Sequence, residues 1–184
     1  MESGWFNMEA IKAFEISFSP DWYGSGYYVY VLKVVHNEKG TFYYIGQTGD
    51  RHFSAARSPF YRLMAHFNPY NSKATDAQLR NGLIAHGLIE EPTKDKKTRV
   101  CMEEAISSGA LQISSVFYKI LEFNGENHKQ NRKHVEAVET ALINLFDKKN
   151  LFNNLEKIGH HTVIINQDHH SLARQIYYNV TQQE

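Results

Sequence analysis

Several side chains in this sequence could move a proton and hold an anion. They are the phenols of Tyr30 and Tyr44, the guanidinium of Arg62, the imidazole of His66, and a carboxylate on a later helix, Glu136 or Glu139. Arginine can grip a phosphate through two parallel donors. Phenol and imidazole can pass protons, and a carboxylate can hold a hard divalent ion. Each group also has a bland reading. Tyrosines in a hairpin more often pack than react, an Arg/His pair can be plain surface, and most helix glutamates are solvated. The doublets His160-His161 and His169-His170 do not read as a metal centre. Adjacent side chains point to different sides, and no carboxylate or cysteine cluster completes a ligand set.

The elements that must position these groups can be read next. Residues 27–48 (YYVYVLKVVHNEKGTFYYIGQT) predict a hairpin with strands at 28–35 and 41–45. The runs are aromatic and β-branched, and Gly40 ends the connection between them. The two phenols fall at corresponding places on the strands, and Gly46 lets the second strand turn sharply at its end. Ser58-Pro59 opens a helix over 60–67, since serine can cap and proline suits the first turn. Arg62 and His66 are four apart and share a face of that helix. Thr75-Asp76-Ala77-Gln78 resembles a capping box, followed by inward Leu79, Leu83 and Ile84 and a stop at His86-Gly87. Residues 90–97 read as an exposed loop, 99–107 as a short helix ended by Gly109, and 111–122 as a third strand. The longest helix is expected over 131–146, with Val135, Val138, Leu142, Ile143 and Phe146 on its apolar side. Near the ends, Met8, Ile11 and Phe14 suggest a short leading helix broken at Ser19-Pro20-Asp21. Residues 162–165 suggest an edge strand, and Asp168 a cap for a last helix through Tyr178.

Tyr28-Val29-Tyr30 and Tyr44-Ile45-Gly46-Gln47-Thr48 together resemble the two halves of the GIY-YIG nuclease signature. The second half matches as it stands. The first departs, with Tyr28 where the family usually has Gly and Val29 for its Ile. An Arg four residues before a His marks the family's helix after the YIG strand, as Arg62 and His66 do here. Sixteen positions separate Gly46 from Arg62, so this loop carries an insertion. Glu139-Thr140-Ala141-Leu142-Ile143 looks like the family's glutamate followed by an apolar pair, and it follows the third strand as the family order requires. Leu151-Phe152-Asn153-Asn154 resembles the closing segment; Asn153, directly after the aromatic, is preferred over Asn154. The resemblance spans about 27–154. It implies an α/β (α+β) fold with a small central antiparallel three-stranded sheet flanked by helices. Extensions at 1–26 and 155–184 and inserts at 49–58 and 68–109 complete the expected organisation.

Size and composition set outer bounds. The 184 residues suffice for one core and are short for two. The apolar share of 42% and aromatic share of 13% exclude a disordered chain. One cysteine, Cys101, excludes a disulfide framework and a Cys-based zinc cluster, and it fits a reducing cytoplasm. No stretch reaches the length of a membrane span, and the polar N-terminus lacks a signal-peptide pattern. The expected location is therefore cytoplasmic, with no membrane partner. A formal net charge of zero argues against generic nucleic-acid binding by bulk charge. It leaves local basic faces open, at 51–62, 94–99 and 129–134. Arg51, His52, Arg57 and Lys133 are the candidate DNA contacts.

The resemblance implies a metal-dependent DNA endonuclease, stand-alone and restriction-like or phage-type. Glu139 would hold Mg2+ (or Mn2+), which keeps most of its waters and takes phosphate oxygens. Arg62 would grip the phosphate and hold transition-state charge. Tyr30 would act as general base or orient the nucleophile; a phenol titrates near pH ~10, so this needs positive charge close by. Tyr44 and His66 would line the scissile phosphate, Gly46 would keep the strand end open, and Asn153 would brace the site. The partner is DNA, expected to be double-stranded. One site cuts one strand at a time, so a double-strand cut calls for a homo-oligomer on DNA or a second binding event. Two other readings compete: a catalytically inactive nucleic-acid-binding module of the same fold, and a protein-interaction domain with coincidental motifs. The last predicts that the five positions do not converge in space.

Overall fold

The computed structural model describes residues 17–50, 54–67, 77–94, 96–153 and 163–182. The leading helix around Met8 to Phe14, the candidates Arg51 and His52, the cap at Thr75-Asp76, and Asn154 lie outside the described residues. Among the described residues, three strands form one antiparallel sheet in the order β2-β1-β3: β1 (Gly26–His36), β2 (Gly40–Gln47) and β3 (Leu111–Glu122). Five helices accompany it: α1 (Pro59–Phe67), α2 (Ala77–Ala85), α3 (Thr98–Ser107), α4 (His128–Ile143) and α5 (Gln167–Thr181). The expected three-stranded α+β architecture is what the chain forms. None of these helices is long and apolar enough to cross a membrane.

The central strand is apolar at successive positions because both faces of the sheet are covered. Successive side chains of a strand point to opposite faces. Tyr27, Val29 and Val31 with Tyr43 and Ile45 pack into one cluster with Val135, Val138 and Leu142 of α4 and Ala173, Ile176 and Val180 of α5. Tyr30, Leu32 and Val34 with Phe42 and Tyr44 pack into the other, with Leu79 and Leu83 of α2, Leu88 and Ile89 just after it, and Cys101 of α3. The insert at 68–109 therefore covers one face of the sheet through its described part. The last helix, in the segment set apart at 155–184, helps cover the other.

Several local expectations shift. The hairpin closes on a three-residue turn at Asn37, Glu38 and Lys39 with Gly40 at φ +85°, so His36 pairs with Gly40 and Tyr30 with Gly46. Tyr44 is opposite Leu32, not opposite Tyr30; the two phenols share a face as diagonal neighbours. The long helix starts at His128, three residues early, from Asn127 in the left-handed region (φ 50°), and ends at Ile143. Residues 163–166 form no strand. Asn166, not Asp168, caps α5: its side chain accepts from His169 N–H while the His169 ring accepts from the Asn166 N–H.

Other readings hold. Ser58 Oγ accepts the Tyr61 N–H at the start of α1. At the end of α2, Gly87 (φ +60°) and Leu88 donate back to Ile84 and Leu83, a Schellman closure. The third strand has the expected limits.

Candidate active site

Tyr30 stands at the centre. Its ring is fully buried, stacked on Phe117 of β3 with centroids 4.9 Å apart. Its hydroxyl lies 2.8 Å from His66 Nε2 and receives Arg62 Nη2 at 3.4 Å. Tyr44 also hydrogen-bonds to it. With Arg62 and Tyr44 donating, the Tyr30 proton points to His66 Nε2, which leaves the His66 Nδ1 carrying the ring proton. The Tyr44 ring meets His66 edge-on at 4.9 Å. Helix α1 thus presents two residues of one face, Arg62 and His66, onto the two phenols, as the spacing of four demands.

Burial sets the electrostatics. It pushes the Tyr30 phenol above its ordinary value, against the pull of Arg62. It pushes Tyr44 further up, helped by Tyr30. The condition for a phenolate at Tyr30 is therefore not met by Arg62 alone: the lost hydration of the anion outweighs the nearby cation. Burial, then the Arg62 charge, lowers His66 to about 3, so its imidazole is neutral near pH 7. Arg62 is raised, chiefly by Tyr30, and stays charged.

Of the two glutamates on α4 the resemblance singles out Glu139, and the surroundings of the two differ. Glu136 accepts from Arg132 Nη1 at 2.8 Å. Glu139, also buried, acts by its charge on Tyr30, Tyr44 and Arg62. All five positions from β1, β2, α1 and α4 therefore converge, against the prediction of the coincidental-motif reading.

Two buried polar atoms of α1 have no hydrogen-bond partner among the described residues: Arg62 Nε and His66 Nδ1. In the network above both are N–H donors. Buried donors left unpaired are costly, and an anionic, acceptor-rich ligand is what would satisfy them.

No protein-family model, curated protein or solved structure matches the chain.

Gly46 and Asn153 both act on the second strand. A Cβ built on Gly46 would come closer than 3 Å to the Tyr30 hydroxyl and to two of its ring carbons, so the bare backbone is what lets the phenol lie there. Gly46→Ala is expected to push the phenol off His66 and Arg62. A loss of roughly ten- to a hundredfold in activity and about 1–3 kcal/mol of stability from overpacking should follow. Urea unfolding and a rate measurement on the same preparation check it; unchanged values for both would contradict the packing argument.

Asn153 clasps β2: its Oδ1 accepts from Ile45 N–H at 2.8 Å and its Nδ2 donates to Ile45 O at 2.7 Å. Just before it, Leu151 pairs with Tyr43 in parallel and Phe152 N–H donates to Tyr43 O, so the segment seals the outer edge of the strand. Asn153→Asp keeps the shape and sets an oxygen against the Ile45 carbonyl. It is expected to cost about 1–3 kcal/mol, read as a lower urea midpoint with an unchanged slope.

Of the candidate DNA contacts, Arg57 pairs with Asp50 at 2.5 Å and lies 4.8 Å over the Tyr61 ring. Lys133, six residues before Glu139 on α4, lines a surface hollow with His128 and Lys129. Phe117, which holds the Tyr30 ring, had no sequence signal beyond the alternation of its strand. Thr48 was quoted only as part of the motif. Its buried hydroxyl accepts from Tyr28 N–H at 2.9 Å and donates to Gly26 O at 2.7 Å, tying the end of the hairpin to its start.

The His66 shift carries a pH dependence. A histidine depressed on folding contributes stability that is whole above its ordinary value of 6.5 and drains as pH falls toward the folded value of about 3. His169, also lowered by burial, has the same sign. Between pH 6.5 and 5 the His66 share is about 2 kcal/mol. Urea midpoints should fall across this range, and His66→Gln should flatten the slope. A wild-type midpoint that rises as pH falls would contradict the assignment.

Proposed function

We propose that the chain is a metal-dependent DNA endonuclease that hydrolyses phosphodiester bonds through a GIY-YIG-type site. The observation that carries this reading is the convergence of Tyr30, Tyr44, Arg62, His66 and Glu139 around two buried, unpartnered N–H donors. A phosphodiester suits such a place: it is anionic, rich in acceptors, and hydrolysed through a transition state of greater negative charge.

The donor set also fits a hard divalent ion. Among the described residues no group of three His, Cys, Asp or Glu forms an all-protein metal cage. One carboxylate, Glu139, with phosphate oxygens and waters as the other ligands, matches the habit of Mg2+ or Mn2+. Bound there, the ion would supply Lewis-acid stabilisation of phosphate charge.

The chain's own residues supply the rest. Arg62 donates to the phosphate and holds the charge that develops on it. Phosphate binding offsets the Arg62 charge that helps depress His66, so the imidazole becomes a better proton acceptor when substrate is present. Tyr30 then takes a proton from the attacking water as it passes its own to His66 Nε2. As the new P–O bond forms, the opposite P–O ester bond breaks and its oxygen leaves to take up a proton from solvent. Tyr44 steadies the Tyr30 oxygen through the change.

The test is incubation of supercoiled plasmid with the chain and Mg2+ or Mn2+. Nicked or linear product that EDTA abolishes is the expected result. Plasmid bound but left intact under every divalent ion would transfer the reading to a non-catalytic nucleic-acid-binding module.

A further inference from the structure

Four of the eight large hydrophobic side chains exposed among the described residues share one region. Phe18 (46% exposed), Tyr23 (55%), Tyr61 (52%) and Met64 (49%) all lie on α1 or on the turn before β1 that packs against it. Phe18 meets Phe60 edge-on at 5.1 Å, and Tyr23 lies on Phe60 at 4.9 Å with planes only 31° apart. The patch is continuous with the candidate site. Rings lead from Tyr30 to Phe117 (4.9 Å), to Trp22 (6.4 Å), to Phe18 (6.0 Å) and so to exposed Tyr23. Two cations lie by these rings, each with a carboxylate partner: the Arg57 guanidinium 4.8 Å over Tyr61 and paired with Asp50, and Lys119 Nζ 6.0 Å from Tyr28 and paired with Glu122. From Arg57 to Phe67 the chain has two arginines, one histidine and no acidic residue.

We propose that this aromatic face of α1 docks unpaired nucleobases, so that the preferred substrate is DNA with a single-stranded segment beside the cut, such as a gap, flap or splayed arm. The proposal rests on the nuclease reading of the neighbouring site. Every base has a π-face, so aromatic rings bind unpaired bases with little sequence preference, while a basic surround tracks the backbone. A base inside an intact duplex already has its faces stacked and has none to offer. The same helix turns Arg62 inward and Tyr61 outward, which places a phosphate grip and a stacking ring at consecutive positions, as consecutive parts of one strand require. A protein partner would use the apolar area alike, but it would give no role to the ring path from the patch to Tyr30 or to Arg62 and Tyr61 at consecutive positions.

The test is affinity measured by fluorescence anisotropy in EDTA, where no cutting occurs. The two probes are a blunt duplex and the same duplex with a splayed single-stranded arm. The wild-type chain is expected to bind the splayed probe at least fivefold more tightly. Tyr23→Ala and Tyr61→Ala should each weaken splayed-probe binding by about five- to a hundredfold, the range for one lost base stack. Blunt-duplex affinity and the melting temperature should stay as they are, and Tyr23→Trp should retain the preference. Equal wild-type affinity for both probes, or alanine variants that keep the preference, overturns the proposal. The two readings fail separately. Plasmid cleavage without a splayed-arm preference removes only this inference; a splayed-arm preference that needs Tyr23, in a chain that never cuts, removes the nuclease and leaves the docking surface.

Discussion

Tyr30→Phe is expected to slow single-turnover DNA cleavage by about 10²–10⁴-fold, the usual worth of a positioned proton-transfer group. The substitution removes one oxygen and keeps the ring on Phe117. That oxygen is the meeting point of the site: it lies 2.8 Å from His66 Nε2 and accepts from Arg62 Nη2 at 3.4 Å. Without it His66 and Arg62 each lose a partner in a buried place, at a cost of about 1–3 kcal/mol in stability. The chain should still fold, because the ring, Gly46 and Phe117 still fit together. Tyr44→Phe is expected to do less, since Tyr44 acts on the reacting water only through Tyr30. Equal losses for the two variants would show that the phenols have been given the wrong ranks.

Glu139→Gln should have the other large effect. The two side chains have the same shape and differ in charge, so the α4 packing survives while the group that would hold the divalent ion is neutralised. A loss of about three orders of magnitude in cleavage is expected, corresponding to several kcal/mol of transition-state charge stabilisation. Mn2+ binding, followed by electron paramagnetic resonance without DNA, should weaken in parallel. DNA affinity in EDTA should hold or rise slightly, because a negative charge near the phosphate site has been removed. Unchanged Mn2+ binding together with full activity would reassign the carboxylate to packing.

The elements that bear the site were legible because each has a local signal. β3 is long and alternating, α1 has a serine-proline start, and α2 ends on a glycine that must take a positive φ. The Arg62/His66 face followed from helical spacing alone. The pairing of the two phenols was misplaced: a connection over 36–40 sets Val35 opposite Thr41, and that register puts Tyr44 opposite Leu32 and Tyr30 opposite Gly46. The start of α4 was hidden by Asn127, an unusual residue at positive φ that begins a helix three residues sooner. Cap competition also escaped, since Asn166 and Asp168 are both good caps and only the reach of the His169 ring decides between them. The role of residues 68–109 was illegible for a different reason. Leu79 and Leu83 were read as inward-facing, but no local pattern says that the face they cover is the one holding Tyr30 and Tyr44. The same holds for Glu139: it is as buried as Glu136, and its charge contacts with Tyr30, Tyr44 and Arg62 set it apart only once α4 is packed on the sheet.

The most direct test of the central claim is a double-mutant cycle on cleavage. It compares single-turnover rates on one labelled DNA in Mg2+ for the wild-type chain, Tyr30→Phe, Glu139→Gln and the double variant. If the two side chains belong to one hydrolytic site, the double variant will be little slower than the slower single variant, because groups that act as a unit are lost together. If the two losses simply multiply, Tyr30 and Glu139 act independently and the shared-site account is wrong.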